Sequence, residues 1–146
     1  MDGLILPDLP FEEKEEFLPL CRKYGVDLIS LIAPTSEDRI SMIAKEAEGF
    51  LYVVSSLGVT GTRSEITTDL ASILAVVREH TKIPAAIGFG ISTPEQAKHM
   101  AELADGVIVG SAIIKLLAQY GREAPRHIGA YVKAMKDASA SADGRK

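Results

Sequence analysis

The run Ile83-Pro84-Ala85-Ala86-Ile87-Gly88-Phe89-Gly90-Ile91-Ser92-Thr93-Pro94 reads as one complete structural unit. A short apolar stretch, Ile83 to Ile87, gives way to a turn built on Gly88 and Gly90. A helix then opens at Thr93, with Pro94 in the first-turn position that proline tolerates. The same order recurs along the chain. Gly3 to Leu6, Val26 to Ile32, Phe50 to Val54 and Gly106 to Val109 are further short runs rich in Val, Ile and Leu. They show little period-two alternation, as expected of parallel strands covered on both faces. Segments with helical spacing separate them: Phe11 to Lys23, Ser36 to Glu46 with Ser36 as N-cap, Thr68 to His80, Thr93 to Leu103, Ala112 to Ala118 and Arg126 to Lys136. Strands alternating with helices predict an α/β fold with a parallel sheet.

Composition narrows the function classes. The chain has 146 residues, the size of one domain, and 47% of them are apolar. With 16 basic and 20 acidic side chains the net charge is −4, against the basic stripe that nucleic-acid binding requires. No apolar run approaches the ~20 residues that span a bilayer, and Met1-Asp2-Gly3 does not resemble a signal peptide. A lone Cys21 cannot close an intramolecular disulfide. A soluble, cytoplasmic protein without nucleic-acid or membrane partners is expected.

Strand starts fall roughly 20–35 residues apart, giving about five strand-plus-helix units. A doubly wound sheet of five strands would be complete at this length. An eightfold barrel needs ~250 residues and would lack its first strands here. The apolar run that follows Met1-Asp2-Gly3 at once has the look of a barrel entered part-way.

Chemistry concentrates where strands end. Pro7-Asp8-Leu9-Pro10, Gly58-Val59-Thr60-Gly61, Gly88-Phe89-Gly90-Ile91-Ser92 and Gly110-Ser111-Ala112 each follow a strand. Glycine lets bare backbone approach a ligand, and amides at the start of a helix such as Ala112 to Ala118 suit an anion. Any one of these glycines serves equally well as an ordinary turn residue; their succession at strand ends is what favours a phosphate site. Neither a P-loop nor a GxGxxG fingerprint is present.

In order, Asp2-Gly3-Leu4-Ile5-Leu6-Pro7-Asp8-Leu9-Pro10, Ile32-Ala33-Pro34-Thr35-Ser36, Leu51-Tyr52-Val53-Val54-Ser55, Gly58-Val59-Thr60-Gly61, Gly88-Phe89-Gly90-Ile91 and Gly110-Ser111-Ala112-Ile113 resemble the motifs of the tryptophan synthase alpha chain family. Tyr131 to Lys136 is similar to that family's last helix. The resemblance runs from Asp2 to about Ala138. It implies an incomplete TIM (β/α)8 barrel entered at the fourth strand. Residues 1–138 would be the C-terminal part of a single barrel domain and 139–146 a disordered tail.

The resemblance further implies a carbon–carbon lyase that splits indole-3-glycerol phosphate into indole and glyceraldehyde 3-phosphate by a retro-aldol step in tryptophan biosynthesis. Such a lyase needs an acid–base pair of carboxylates but no metal and no cofactor of its own. Pyridoxal phosphate belongs to a partner beta chain, with which the family forms an alpha2beta2 complex. The family's two carboxylates lie upstream of Asp2, so no catalytic residue is expected in this chain. The binding half carries over: Gly61, Gly90, Gly110 and Ser111 to the phosphate, and Tyr52, Phe89, Ile5 and Ile32 to the indole pocket. Thr60 and Arg63 fall in the family's mobile loop, and Asp8 is a contact residue on the partner face.

Other residues have plainer readings. His80, His99 and His127 share no face and suggest no metal site. Glu12, Glu13, Glu15 and Glu16 read as a solvated helix face, and Cys21 as a small core residue. Two classes of function compete: the lyase, and a non-catalytic phosphate-binding or partner-binding half-barrel.

Overall fold

The computed structural model describes residues 1–55 and 63–142, with side chains described for 1–55 and 70–142. Among the described residues six short strands and six α-helices follow one another: β1 (Gly3–Ile5), α1 (Leu18–Lys23), β2 (Asp27–Ile29), β3 (Leu31–Ile32), α2 (Glu37–Lys45), β4 (Leu51–Val54), α3 (Arg63–His80), β5 (Ala85–Gly88), α4 (Pro94–Leu103), β6 (Gly106–Val107), α5 (Ser111–Tyr120) and α6 (Ala124–Ala140). Short 3-10 turns at Phe11–Glu16 and Gly121–Glu123 precede α1 and α6.

Every strand pair is parallel, and sheet order follows chain order. β2 and β3 are two pieces of one extended run broken at Ser30. β1 pairs with the first piece and β4 with the second, and the Tyr52 amide donates to the Ser30 carbonyl at 3.0 Å. A doubly wound sheet reverses its order at a switch point, with helices on both faces. Here there is no reversal among the described strands. The expected barrel geometry therefore prevails over the doubly wound alternative.

Side-chain alternation shows the same one-sided cover. Ile32, Leu51, Val53, Ala85 and Ile87 are buried and pack with Ile40, Ile43, Leu70, Leu74, Val77, Ala97, Met100 and Met135 from the helices. The register aligns Ile32 with Val53, and Val53 with Ile87, so these side chains share the helix-packed face. Tyr52, Val54 and Ala86 point the other way and are half-buried. That second face is the one a closed barrel turns inward. A smaller cluster of Leu18, Cys21 and Leu28 sits under α1, and Cys21 is buried there as a core residue.

Several boundaries differ from expectation for local reasons. The helix expected over Phe11 to Lys23 is a 3-10 turn followed by α1, because Pro19 has no amide to continue the ladder. The fifth strand starts at Ala85, one residue beyond Pro84, for the same reason. Ser36 occupies the N-cap position of α2, but its side chain makes no capping bond. Thr93 does cap α4. Its hydroxyl accepts from the Gln96 amide, while Gln96 Oε1 accepts from the Thr93 and Ser92 amides. Ser139 and Ala140, expected in the tail, are helical: α6 runs through Ala140 and Ser139 Oγ donates to the Met135 carbonyl at 2.8 Å. Residues 143–146 lie outside the described residues.

The acidic face expected to be solvated is partly engaged. Arg39 of α2 grips Glu12 through both terminal guanidinium nitrogens, with Nη2 to Oε2 at 3.1 Å. Lys14 pairs with Glu46, and Arg22 with Glu48 at 2.8 Å. Together these ion pairs bind the segment after β1 to α2 and its C-terminal end. No described helix is long and apolar enough to cross a membrane.

Candidate active site at the strand ends

Because all strands run parallel, their C-terminal ends lie on one side, and the glycine turns of β5 and β6 gather there. After β5 the backbone enters the left-handed region twice in succession, at Phe89 (φ 85°) and Gly90 (φ 76°). Glycine adopts that region freely, whereas a phenylalanine there costs about 1–2 kcal/mol. Phe89 is nonetheless 62% exposed, so burial of its ring does little to offset the strain. Strain of this kind, over-determined by its surroundings, marks functional turns.

The surroundings in question are Ser55, the residue after β4. Its amide donates to the Gly88 carbonyl at 2.9 Å. Its hydroxyl lies 2.6 Å from the Phe89 carbonyl and 3.0 Å from that of Gly88. Ser55 is 1% exposed and stands out as a polar side chain in the core. Three residues back, the Tyr52 side chain crosses the same strand end: a Cβ at Gly88 would sit 2.3 Å from the Tyr52 hydroxyl. Only glycine fits at 88.

After β6, Gly110 stands at the N-cap of α5, and the first amides bonded within that helix are those of Ile113 and Ile114, both to the Gly110 carbonyl. The amides of Ser111 and Ala112 precede that ladder, where anion-binding donors lie. Gly110 and Ser111 are exposed, and a Cβ built at Gly110 would meet nothing within 4 Å. Protein packing does not demand a glycine there.

The structure separates the expected pocket residues. Ile5 pairs with Ile29 and faces away from the helices, 40% exposed, on the Tyr52 side of the sheet. Ile32 is on the other side. It is 0% exposed within the helix-packed core, because the register puts it beside Val53 and one residue out of phase with Tyr52. Asp8 is exposed in the turn after β1. Gly61 and Thr60 lie outside the described residues, as does the side chain of Arg63, the first residue of α3.

Sequence reasoning gave no role to two residues that brace this end. Ser55 is one; a serine closing an apolar strand was the available signal. Tyr131 of α6 is the other, donating its hydroxyl to the Ser92 carbonyl at 2.9 Å, with burial pushing its phenol up from the ordinary value. His127 stacks on Tyr120 at 3.6 Å, and no group of His, Cys, Asp or Glu among the described residues could hold a metal. A cavity of about 510 Å³ lies elsewhere, between β6 and α6, lined by Gly106, Val107, Val109, Tyr131 and Met135 among others.

Parallel strands in chain order, helices on one face and glycine turns at the C-terminal strand ends define part of a TIM (β/α)8 barrel. Relatives narrow the class. The sequence model of the tryptophan synthase alpha chain matches residues 1–142. The tryptophan synthase alpha chain of Lacticaseibacillus casei is 52% identical over 134 residues, covering 92% of this chain and 50% of that protein. That of Lactiplantibacillus plantarum is 60% identical over 119 residues, covering 81% and 45%. Among solved structures, tryptophan synthase subunit alpha from Campylobacter jejuni superposes with a TM-score of 0.79 at 34% identity, over 95% of this chain and 53% of that one. A chain of the tryptophan synthase a2b2 complex from Pyrococcus furiosus gives 0.78 at 34%, over 94% and 56%. The chain belongs to the tryptophan synthase alpha chain family and spans about half the length of the relatives it matches.

Proposed function

We propose that this chain supplies the phosphate- and indole-binding half of a carbon–carbon lyase that cleaves indole-3-glycerol phosphate to indole and glyceraldehyde 3-phosphate. The observation that carries the reading is the pairing of a strained Phe89–Gly90 turn with an open helix start at Gly110–Ser111, both at C-terminal strand ends. Barrels commonly hold phosphate with the loops after their last strands and the start of a short extra helix.

In this reading the amides of Gly61, Gly90, Gly110 and Ser111 and the Ser111 hydroxyl donate to the phosphate oxygens. Tyr52, Phe89 and Ile5 offer apolar surface to the indole ring; Ile32 acts only from behind, through the core. Thr60 belongs to the segment that covers substrate, with Arg63 beside it at the start of α3 and not in the loop the sequence suggested, and Asp8 to the face that meets a beta chain in an alpha2beta2 assembly. The chain needs no cofactor of its own, and the step is a cytoplasmic biosynthetic one.

Bond cleavage requires protonation at indole C3 and deprotonation of the side-chain hydroxyl. In this reading neither of the two carboxylates that do this in the family is supplied by this chain. General acid–base catalysis contributes typically 10²–10⁴-fold, so the chain alone should release indole at background rate. Adding the upstream half of a relative as a separate polypeptide should raise it. Turnover by the chain alone at the rate of a full-length relative would overturn the division of labour, and glycerol 3-phosphate failing to bind would overturn the phosphate site.

A further inference from the structure

We propose that Ser55 is a positioning residue: its hydroxyl holds the Phe89–Gly90 turn in left-handed form and thereby fixes the direction of the Gly90 amide. The ladder between β4 and β5 does not need this side chain, since the Ser55 amide already donates to the Gly88 carbonyl. The hydroxyl has one proton to give, and the Phe89 carbonyl at 2.6 Å is the nearer acceptor. That carbonyl and the Gly90 N–H belong to one peptide unit, which is planar with its C=O and N–H opposed. Pinning the oxygen toward buried Ser55 turns the Gly90 amide the opposite way, out of the core. The same bond offsets the strain of a phenylalanine at φ 85°. A buried hydroxyl at the end of one strand thus sets the donor geometry of the next strand's turn.

The inference rests on the proposed phosphate site only for its ligand arm; the turn itself can be read without ligand. Exposed Phe89 is a chymotrypsin site, and cleavage after it, relative to other sites, reports local loosening. Three variants separate the causes: Ser55→Ala removes the donor, Ser55→Cys keeps similar volume with a weak donor, and Ser55→Thr restores the donor. All are compared with the parent chain at equal concentration. A hydrogen bond of ordinary strength predicts that Ala and Cys raise relative cleavage after Phe89 by roughly three- to tenfold. They should weaken glycerol 3-phosphate protection of the 85–92 peptide against hydrogen exchange by a similar factor, with Thr restoring both. Unchanged cleavage in Ser55→Ala overturns the proposal. So does a Ser55→Cys variant that behaves like the parent, because volume and not donation would then be the cause. If Ser55→Ala is cut faster at every site, it has lost its fold and Ser55→Cys decides. If cleavage shifts selectively while even the parent gains no protection from glycerol 3-phosphate, positioning stands and the phosphate reading falls.

Discussion

The Tyr52 side chain lies across Gly88 on the next strand, so close that a Cβ at 88 would fall 2.3 Å from its hydroxyl and 2.4 Å from Cζ. Gly88→Ala must therefore displace the tyrosine. Overpacking of this kind costs about 1–3 kcal/mol. Urea unfolding should show that loss in the single variant. In the Tyr52→Ala background the same substitution should cost nearly nothing, because the clashing group is gone. Equal costs in the two backgrounds would mean that the ring and Gly88 do not compete for the same space.

Gly110 makes the opposite prediction. No protein atom within 4 Å would meet a Cβ there, so Gly110→Ala should leave unfolding within about 0.5 kcal/mol of the parent. Binding of glycerol 3-phosphate, measured by calorimetry, should nevertheless weaken, because the methyl enters space that a close-approaching phosphate would use. A variant that is destabilised yet binds normally would assign Gly110 to folding and not to ligand.

The ion pair between Glu12 and Arg39 predicts a pH dependence. The Arg39 guanidinium bonded to Glu12 lowers that carboxyl from its ordinary 4.5 to about 2. A folded-state value below the unfolded one means that the stabilisation is fully present above pH 4.5 and is lost as pH falls toward 2. Both groups are at the surface, so salt should shrink it. The melting-temperature advantage of the parent over Arg39→Gln should be flat above pH 5 and should vanish toward pH 2. An advantage that survives at pH 2 would trace to packing by the arginine stem.

The strand–helix alternation was legible because each apolar run is short and ends in glycine or proline, and because Thr93-Pro94 announces its helix. Faces were harder to read. In Val26 to Ile32, alternation puts Ile29 and Ile32, three apart, on opposite faces. Which of the two meets the helices is set by the register, which aligns Ile32 with Val53 and puts Ile29 on the Tyr52 side. Nothing local makes that choice, since both are isoleucines in one apolar run. The left-handed backbone at Phe89 was likewise invisible, because it depends on a hydroxyl more than thirty residues upstream. Pairings across such separations are tertiary facts that local pattern does not encode.

Edges and exposed apolar surface govern how the chain behaves in isolation. The chain exposes 9201 Å². A folded monomer of 15.6 kDa is expected to expose roughly 7200 Å². The excess is larger than the ~800 Å² that each partner buries in a standard interface. Part of it lies where the described sheet stops, at β1 with exposed Ile5 and at β6 beside the cavity under α6. Ile114, Leu117 and Val132 add exposed apolar area on α5 and α6. Among the described residues neither outer edge is paired, and unpaired strand edges template association. The isolated 146-residue chain is therefore expected to self-associate through these surfaces. Light scattering should give a mass above that of the monomer. A monodisperse monomer that melts in one sharp transition would show that these edges are satisfied within the chain itself.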